Sequence, residues 1–207
     1  MKQLNQSWST RAISFRRLCC AAIVFGYLFS CPSTSLVISQ KLSTDKPWQE
    51  VVSVEGRFRV LLPDIPDERF VPATVQSVDT EMHAYFVRTP VASYAVIYAD
   101  FPNMGEDLLS TAFDNGRERA LSSKTVRLLS EKDITTANIP GRELVFDDSA
   151  NVVTDRMYFV NGRLYQVMFM RPDLSGMPNE MVKFYDGLSA KFFSSFKPNN
   201  ASRNGKK

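Results

Sequence analysis

Beyond residue 31 the sequence contains no cysteine: Cys19, Cys20 and Cys31 are the only three in 207 residues. Everything downstream therefore lacks a disulfide, a thiolate nucleophile and a cysteine metal site, and its stability must come from packing. Histidine is almost as scarce. His83 is the single imidazole of the chain, so a metal site or a Ser-His-Asp triad would have to be centred on it. It lies in a predicted strand among Met82, Ala84 and Tyr85, with no Gly-x-Ser-x-Gly elbow in the chain, and reads as a strand-face side chain without a catalytic role. No glycine-rich phosphate loop, dinucleotide fingerprint or P-loop is present. Positive charge is missing where a nucleic-acid face would need it. The whole chain carries +3, but residues 48–196 hold 15 Lys and Arg against 21 Asp and Glu, a balance of −6 that argues against nucleic acid as a partner.

The N-terminus holds the cations that the rest lacks. Lys2, Arg11, Arg16 and Arg17 precede the apolar run Leu18 to Phe29, with no acidic residue before it. A basic segment followed by about a dozen apolar residues is the layout of a secretory signal, and the run falls short of the ~20 residues that span a bilayer. Residues 1–31 are expected to be a signal peptide. The run ends in Leu28-Phe29-Ser30-Cys31, which resembles the bacterial lipobox, with Cys31 as the residue to be acylated. Ordinary cleavage further on, within the Ser/Thr-rich stretch 33–39, is the alternative. The pair Arg16-Arg17 also has the form of a twin-arginine signal, although adjacent arginines are common in such leaders. Residues 32–47 read as a tether and residues 198–207 (PNNASRNGKK) as a disordered basic tail, leaving one α+β domain over 48–197.

Within the domain, strands dominate. Residues 48–54 and 57–62 suit a hairpin around Glu55-Gly56, followed by a loop from Pro63 to Arg69, and residues 80–88 and 93–100 suit a second pair around Thr89-Pro90. Val153 to Val160 and Arg163 to Arg171 flank Asn161-Gly162, the strongest two-residue turn signal, because both positions tolerate positive φ. Pairing through that turn sets Phe159 opposite Leu164 and Tyr158 opposite Tyr165. Tyr165, Val167 and Phe169 then lie on one side, with Leu164, Met168 and Met170 on the other. A strand apolar on both sides must be covered on both sides. Two helices are available. One runs from about Met104 to Ser122, with Asn103 and Glu106 in a capping-box pattern and Leu109, Ala112, Phe113 and Ala120 as its stripe. The other runs from about Asn179 to Phe193, with Met181, Phe184, Tyr185, Leu188 and Phe192 in a 3.6-residue period.

Five spaced segments occur in order: Phe58 with Leu62-Pro63; Tyr94, Tyr98, Asp100 and Pro102; Pro140-Gly141-Arg142-Glu143; Arg156, Tyr158, Val160 and Gly162-Arg163-Leu164-Tyr165; and Ser195-Phe196. This series resembles a group of secreted bacterial domains of unassigned function. It is also similar to the PsbP-like fold of the photosystem II lumenal protein PsbP and the Ran-binding Mog proteins. The resemblance implies an antiparallel sheet sandwiched between helices, and an accessory or assembly protein rather than an enzyme. It transfers no functional residue, since no metal or partner motif of that family is matched.

The residues that could carry chemistry have simpler explanations. Asp147 and Asp148 with Ser149 and Asn151, and Asp64 with Asp67 and Glu68, supply oxygens suited to calcium, but match no EF-hand spacing and read as turns. Met157, Met168, Met170, Met177 and Met181 are soft ligands in principle and core fillers in this pattern. Arg142, Arg156, Arg163 and Arg171 lie on or beside neighbouring strands, with Arg156, Arg163 and Arg171 on one face. They could gather an anionic ligand or an acidic partner, or form rim ion pairs with Glu143, Asp155 and Asp173. The expectation is an exported, non-catalytic accessory protein without metal or cofactor, held at the outer side of a membrane by its N-terminal segment and binding a protein partner or membrane complex. A carrier of a small lipophilic ligand is the alternative.

Overall fold

The computed structural model describes residues 47–75, 78–101, 109–148 and 151–199. The leader with Cys31, the tether up to residue 46, the cap residues Asn103 and Glu106, Ser149 and the tail from residue 200 lie outside the described residues. The elements in chain order are β1 (Gln49–Ser53), β2 (Phe58–Leu62), β3 (Asp67–Val75), β4 (Val78–Arg88), β5 (Ser93–Asp100), α1 (Leu109–Ala120), β6 (Arg127–Thr136), β7 (Ile139–Asp147), β8 (Asn151–Val160), β9 (Arg163–Pro172), α2 (Asn179–Ser195) and β10 (Lys197–Pro198). They form a seven-stranded sheet in the order β3-β4-β5-β9-β8-β7-β6 and a three-stranded sheet in the order β1-β2-β10, with every pairing antiparallel. Among the described residues no helix is long and apolar enough to cross a membrane.

Asn161 and Gly162 both adopt positive φ, 51° and 75°, so the β8–β9 hairpin forms in the register that its turn dictates: Phe159 faces Leu164 and Tyr158 faces Tyr165. This places one row of residues straight across the large sheet, Phe70-His83-Tyr98-Tyr165-Tyr158-Gly141-Ile134, with a ring on each of the five strands from β3 to β8. The face on which these rings stand, the aromatic face, is covered by α2 and by the small sheet. Phe58 of β2 packs edge-on against Tyr85, Tyr98 and Tyr165, and Phe196 beyond α2 lies on Tyr158 and Tyr165. Tyr94, Val167, Phe169 and Phe192 complete this core. The reverse face carries Met157, Met168 and Met170 and is covered by α1, whose Ala112, Phe113 and Gly116 are buried; a Cβ at Gly116 would collide with Met157 Sδ. Both predicted helices are thus covers, one on each face. The small second sheet was not foreseen and shares the aromatic side with α2.

One expectation needs correction, and one hairpin is additional to those expected. The loop from Pro63 to Arg69 is shorter, because β3 begins at Asp67; its irregular pattern and Pro72 suit an edge strand, which is where the chain places it. Residues 127–147, to which the sequence reading assigns no element, form the β6–β7 hairpin at the opposite edge.

Gly141 is the one position in the aromatic row without a side chain, and Tyr158 lies against it. A Cβ there would stand 2.6 Å from the Met157 carbonyl oxygen and 2.8 Å from Tyr158 Cδ1. Gly141→Ala is expected to destabilise the fold by about 1–3 kcal/mol, as overpacking does. Gly187→Ala, in α2 where a Cβ would meet nothing within 4 Å, should stabilise by up to about 1 kcal/mol. Urea unfolding of the two variants measures both signs.

Candidate functional site

The four arginines do not converge. Arg142 stands on the reverse face, where its guanidinium meets Asp114 of α1 at 2.6 Å, Glu131 at 3.3 Å and Asp133 at 3.5 Å, and lies over the Phe113 ring. Its role there is to tie α1 to the β6–β7 edge. Arg156, Arg163 and Arg171 share the aromatic face as their register requires, yet each has its own partner. Arg156 donates from Nε to Glu143 at 2.7 Å and stacks over Phe193, so α2 shields this pair. Burial works to raise the Glu143 carboxyl, but hydrogen bonds from Lys132 and Arg156 outweigh it and hold the group below the usual carboxylate range. Arg171 donates to the Pro172 carbonyl at the sheet end.

Arg163 is the buried one, 4% exposed. It forms a two-pronged pair with Asp100, Nε to Oδ1 at 2.7 Å and Nη2 to Oδ2 at 2.6 Å, and its Nη1 donates to the Glu55 carbonyl at 2.6 Å. The guanidinium lies 4.2 Å over the Tyr98 ring. Tyr165 reinforces the contact by donating its hydroxyl to the Gly56 carbonyl at 2.9 Å, while Ser53 Oγ shares a hydrogen bond with the Tyr85 hydroxyl and accepts one from Gly56 N–H. Together these groups fasten the β1–β2 turn, where Arg57 adopts φ 52°, onto the large sheet.

Among the described residues, the aromatic face beside this lock is open. Ser53 of β1 reaches Tyr85 of β4, Phe58 of β2 reaches Tyr98 and Tyr165, and Phe196 next to β10 reaches Tyr158. The small sheet therefore runs above β4, β5, β9 and β8 and stops short of β3. The burial follows this boundary: Tyr85 and Tyr98 are buried, whereas Glu68, Phe70, Pro72 and Glu81 are exposed, Phe70 by 55%. His83 marks the border. Its ring stacks on Tyr98 at 4.6 Å, meets the Phe70 ring edge-on at 4.8 Å, and places Nε2 3.1 Å from Glu81. Two polar atoms of this row, His83 Nδ1 and the Tyr98 hydroxyl oxygen, have no hydrogen-bond partner among the described residues. Val52 and Val54, at and just beyond the end of β1, are exposed by 63% and 87%.

The remaining sequence candidates take local roles. Asp148 accepts from the Asn151 N–H and Asp64 from the Ile65 N–H, as turn residues do, whereas Asp147 closes β7 and pairs with Arg127 across the ladder, and Asp67 and Glu68 lie in β3 rather than in the expected turn. Met157, Met168 and Met170 fill the reverse core, while Met177 is exposed. No group of three or more His, Cys, Asp or Glu among the described residues is placed to hold a metal ion.

Asp155 was expected as a rim partner for the arginines and is not one. It is wholly buried on the reverse face, between Leu144 and Met168, with Gln166 donating to Oδ2 at 2.9 Å and Oδ1 unpartnered. The sequence held the signal: Asp155 alternates with Val153, Met157 and Phe159, the apolar side of β8. Burial pushes its carboxyl up to about 7, against the smaller opposing effect of the Gln166 hydrogen bond.

From about pH 4 to pH 7 the unfolded chain gives up the Asp155 proton while the folded chain keeps it, so this residue's contribution makes stability fall as pH rises. The difference is roughly 4 kcal/mol at most, at about 1.4 kcal/mol per pH unit. Asp155→Asn should be more stable than the parent at pH 8 and lose that advantage near pH 4. Denaturant unfolding at the two pH values measures it.

No family model matches the chain, and no curated protein matches it. Among solved structures it is similar to the solution structure of cyanobacterial PsbP from Synechocystis sp. PCC 6803, with 13% identity, 84% of this chain and 99% of that chain covered, and a TM-score of 0.47. It is also similar to the crystal structure of a protein of unknown function from Pseudomonas aeruginosa, with 8% identity, 57% and 93% covered, and a TM-score of 0.33. The α+β arrangement expected from the sequence motifs is the one that, among the described residues, the chain's own two helices and ten antiparallel strands form.

Proposed function

We propose that this protein is a non-catalytic accessory protein, exported on its N-terminal segment, held at the outer side of a membrane by acylation at Cys31, and active through binding a protein partner. The observation that carries the reading is the contrast between the interior and one margin of the domain. Arg142, Arg156 and Arg163, the side chains best suited to seize an anion, are already engaged by carboxylates of the same chain. Of the exposed large apolar side chains among the described residues, Val52, Val54 and Phe70 belong to β1, its turn and the edge strand β3, while Ile65, Leu129 and Met177 lie in the β2–β3 loop, in β6 and ahead of α2. Exposed apolar groups rimmed by charge are the usual mark of a protein-binding surface.

The carrier reading loses support from the same packing. Tyr94, Phe169 and Phe192 are fully buried between the sheet and α2, with the Tyr94 ring 5.4 Å from Phe169 and 5.3 Å from Phe192, filling the space that a lipophilic ligand would need. Two or three acyl chains at Cys31 would suffice for stable membrane attachment, where one would not.

Two measurements in the native host test the proposal. Mass analysis of the mature N-terminus should find a diacylglyceryl-modified Cys31; an unmodified start beyond residue 31 contradicts the anchor. Cross-linking in intact cells followed by recovery from membranes should return the same protein partner in independent preparations, and return of no reproducible partner contradicts the accessory role.

A further inference from the structure

The open margin of the aromatic face has the form of a receptor for one more strand. We propose that an extended segment of the partner, carrying a cation, an apolar side chain and a second cation at alternate positions, lies along the outer edge of β1 and over the shelf formed by Glu68, Phe70 and Glu81. This rests on the accessory reading above and assigns it a surface and a ligand chemistry.

Three observations support it. First, among the described residues β1 pairs with β2 alone, so alternate N–H and C=O groups of this strand point away from β2 towards the β3 side. The two outer edges of the large sheet are guarded by other means: β6 has a bulge between Leu128 and Ser130 and ion pairs on Arg127, Glu131 and Lys132, while β3 carries Pro72, Asp67 and Arg69. β1 has neither proline nor bulge, and Glu50 is its one charge. Second, the shelf offers an exposed aromatic floor. Phe70 leans on His83, which leans on Tyr98, so the exposed ring is held by the buried core and needs no ordering when a ligand arrives. Third, the charge on the shelf has one sign. Glu68 and Phe70 are successive side chains on the aromatic side of β3, and Glu81 sits opposite Pro72, the next one along. Same-face side chains of a strand are about 6.6 Å apart, so an added strand running alongside brings alternate side chains over Glu68, Phe70 and Glu81 in turn. Apolar contact at the centre with carboxylates on either side selects a lysine or arginine on each side of an apolar residue. Backbone pairing would supply affinity and these three positions specificity, the division of labour seen when a peptide extends a sheet edge.

The test uses the full-length protein as the host processes it. The probe is a fluorescently labelled peptide Thr-Lys-Thr-Leu-Thr-Lys-Thr, with the same peptide bearing Glu for Lys, or Gly for Leu, as comparisons. The lysine peptide should bind at least tenfold more tightly than either comparison and weaken as salt is raised. Phe70→Ala and the pair Glu68→Gln with Glu81→Gln should each weaken it at least fivefold while thermal unfolding stays as in the parent, and Asp186→Gln on α2 should leave binding unchanged. Equal binding of the three peptides, or unaltered binding by the shelf variants, overturns the proposal. A photo-cross-linking residue at position 70 or at position 186, introduced in the host, separates the two levels. Adducts from position 70 that map to a segment with the cation-apolar-cation pattern support the proposal. Adducts from position 186 alone overturn the shelf and keep the accessory reading, and adducts from neither overturn both.

Discussion

Arg163 is the pivot of this structure. A guanidinium removed from water is tolerated only where its donors are met, and here Asp100, the Glu55 carbonyl and the face of Tyr98 meet them. Asp100 lies directly opposite Arg163 on the neighbouring strand, so the carboxylate pair is built into the β5–β9 register. The Glu55 carbonyl belongs to the β1–β2 turn. The same cation therefore joins two sheets that the chain order would otherwise leave as separate layers, and it fixes where the small sheet comes to rest.

The placement of that small sheet has consequences on both of its sides. Towards β8 and β9 it closes the core, because Phe58 and Phe196 fill the space over Tyr165 and Tyr158 that α2 does not reach. Towards β3 it leaves Phe70 and His83 only partly covered, and β1 ends the layer with its own backbone groups turned outward. The reverse face is organised differently. A single helix with a close approach at Gly116 lies on methionines, Arg142 ties it to the β6–β7 edge, and a buried acid, Asp155, lies within that face. The aromatic face is thus bound by rings and a buried ion pair, whereas the reverse face contains a carboxyl whose ionisation opposes folding.

Much of the architecture was legible where local chemistry dictates the answer. Asn161-Gly162 forces a tight turn, so the pairing of Tyr158 with Tyr165 and the placing of Arg156, Arg163 and Arg171 on one face follow from counting residues. The 3.6-residue period from Met181 to Phe192 identifies α2, and the two-sided apolar pattern of β9 requires two covers. The remainder was not legible because it depends on contacts far apart in the chain. β6 is largely exposed and alternates weakly, since an edge strand with one solvated side has little to bury. The seat of the small sheet on the large one includes Arg163 reaching Glu55 over 108 residues, a contact without a local signature. The arginines read as a possible cluster because parity gives the face but not the partner. Asp155 was mistaken for a rim charge, although the same parity places it among Val153, Met157 and Phe159.

The central claim is that Arg163 fastens the small sheet over the aromatic core and thereby sets the boundary of the open shelf. Hydrogen exchange of Arg163→Gln compared with the parent tests it most directly. The account predicts that amides of β1 and β2 exchange at least tenfold faster in the variant while those of the β8–β9 hairpin keep most of their protection. Unchanged exchange in β1 and β2, or an equal loss of protection throughout both sheets, would contradict it.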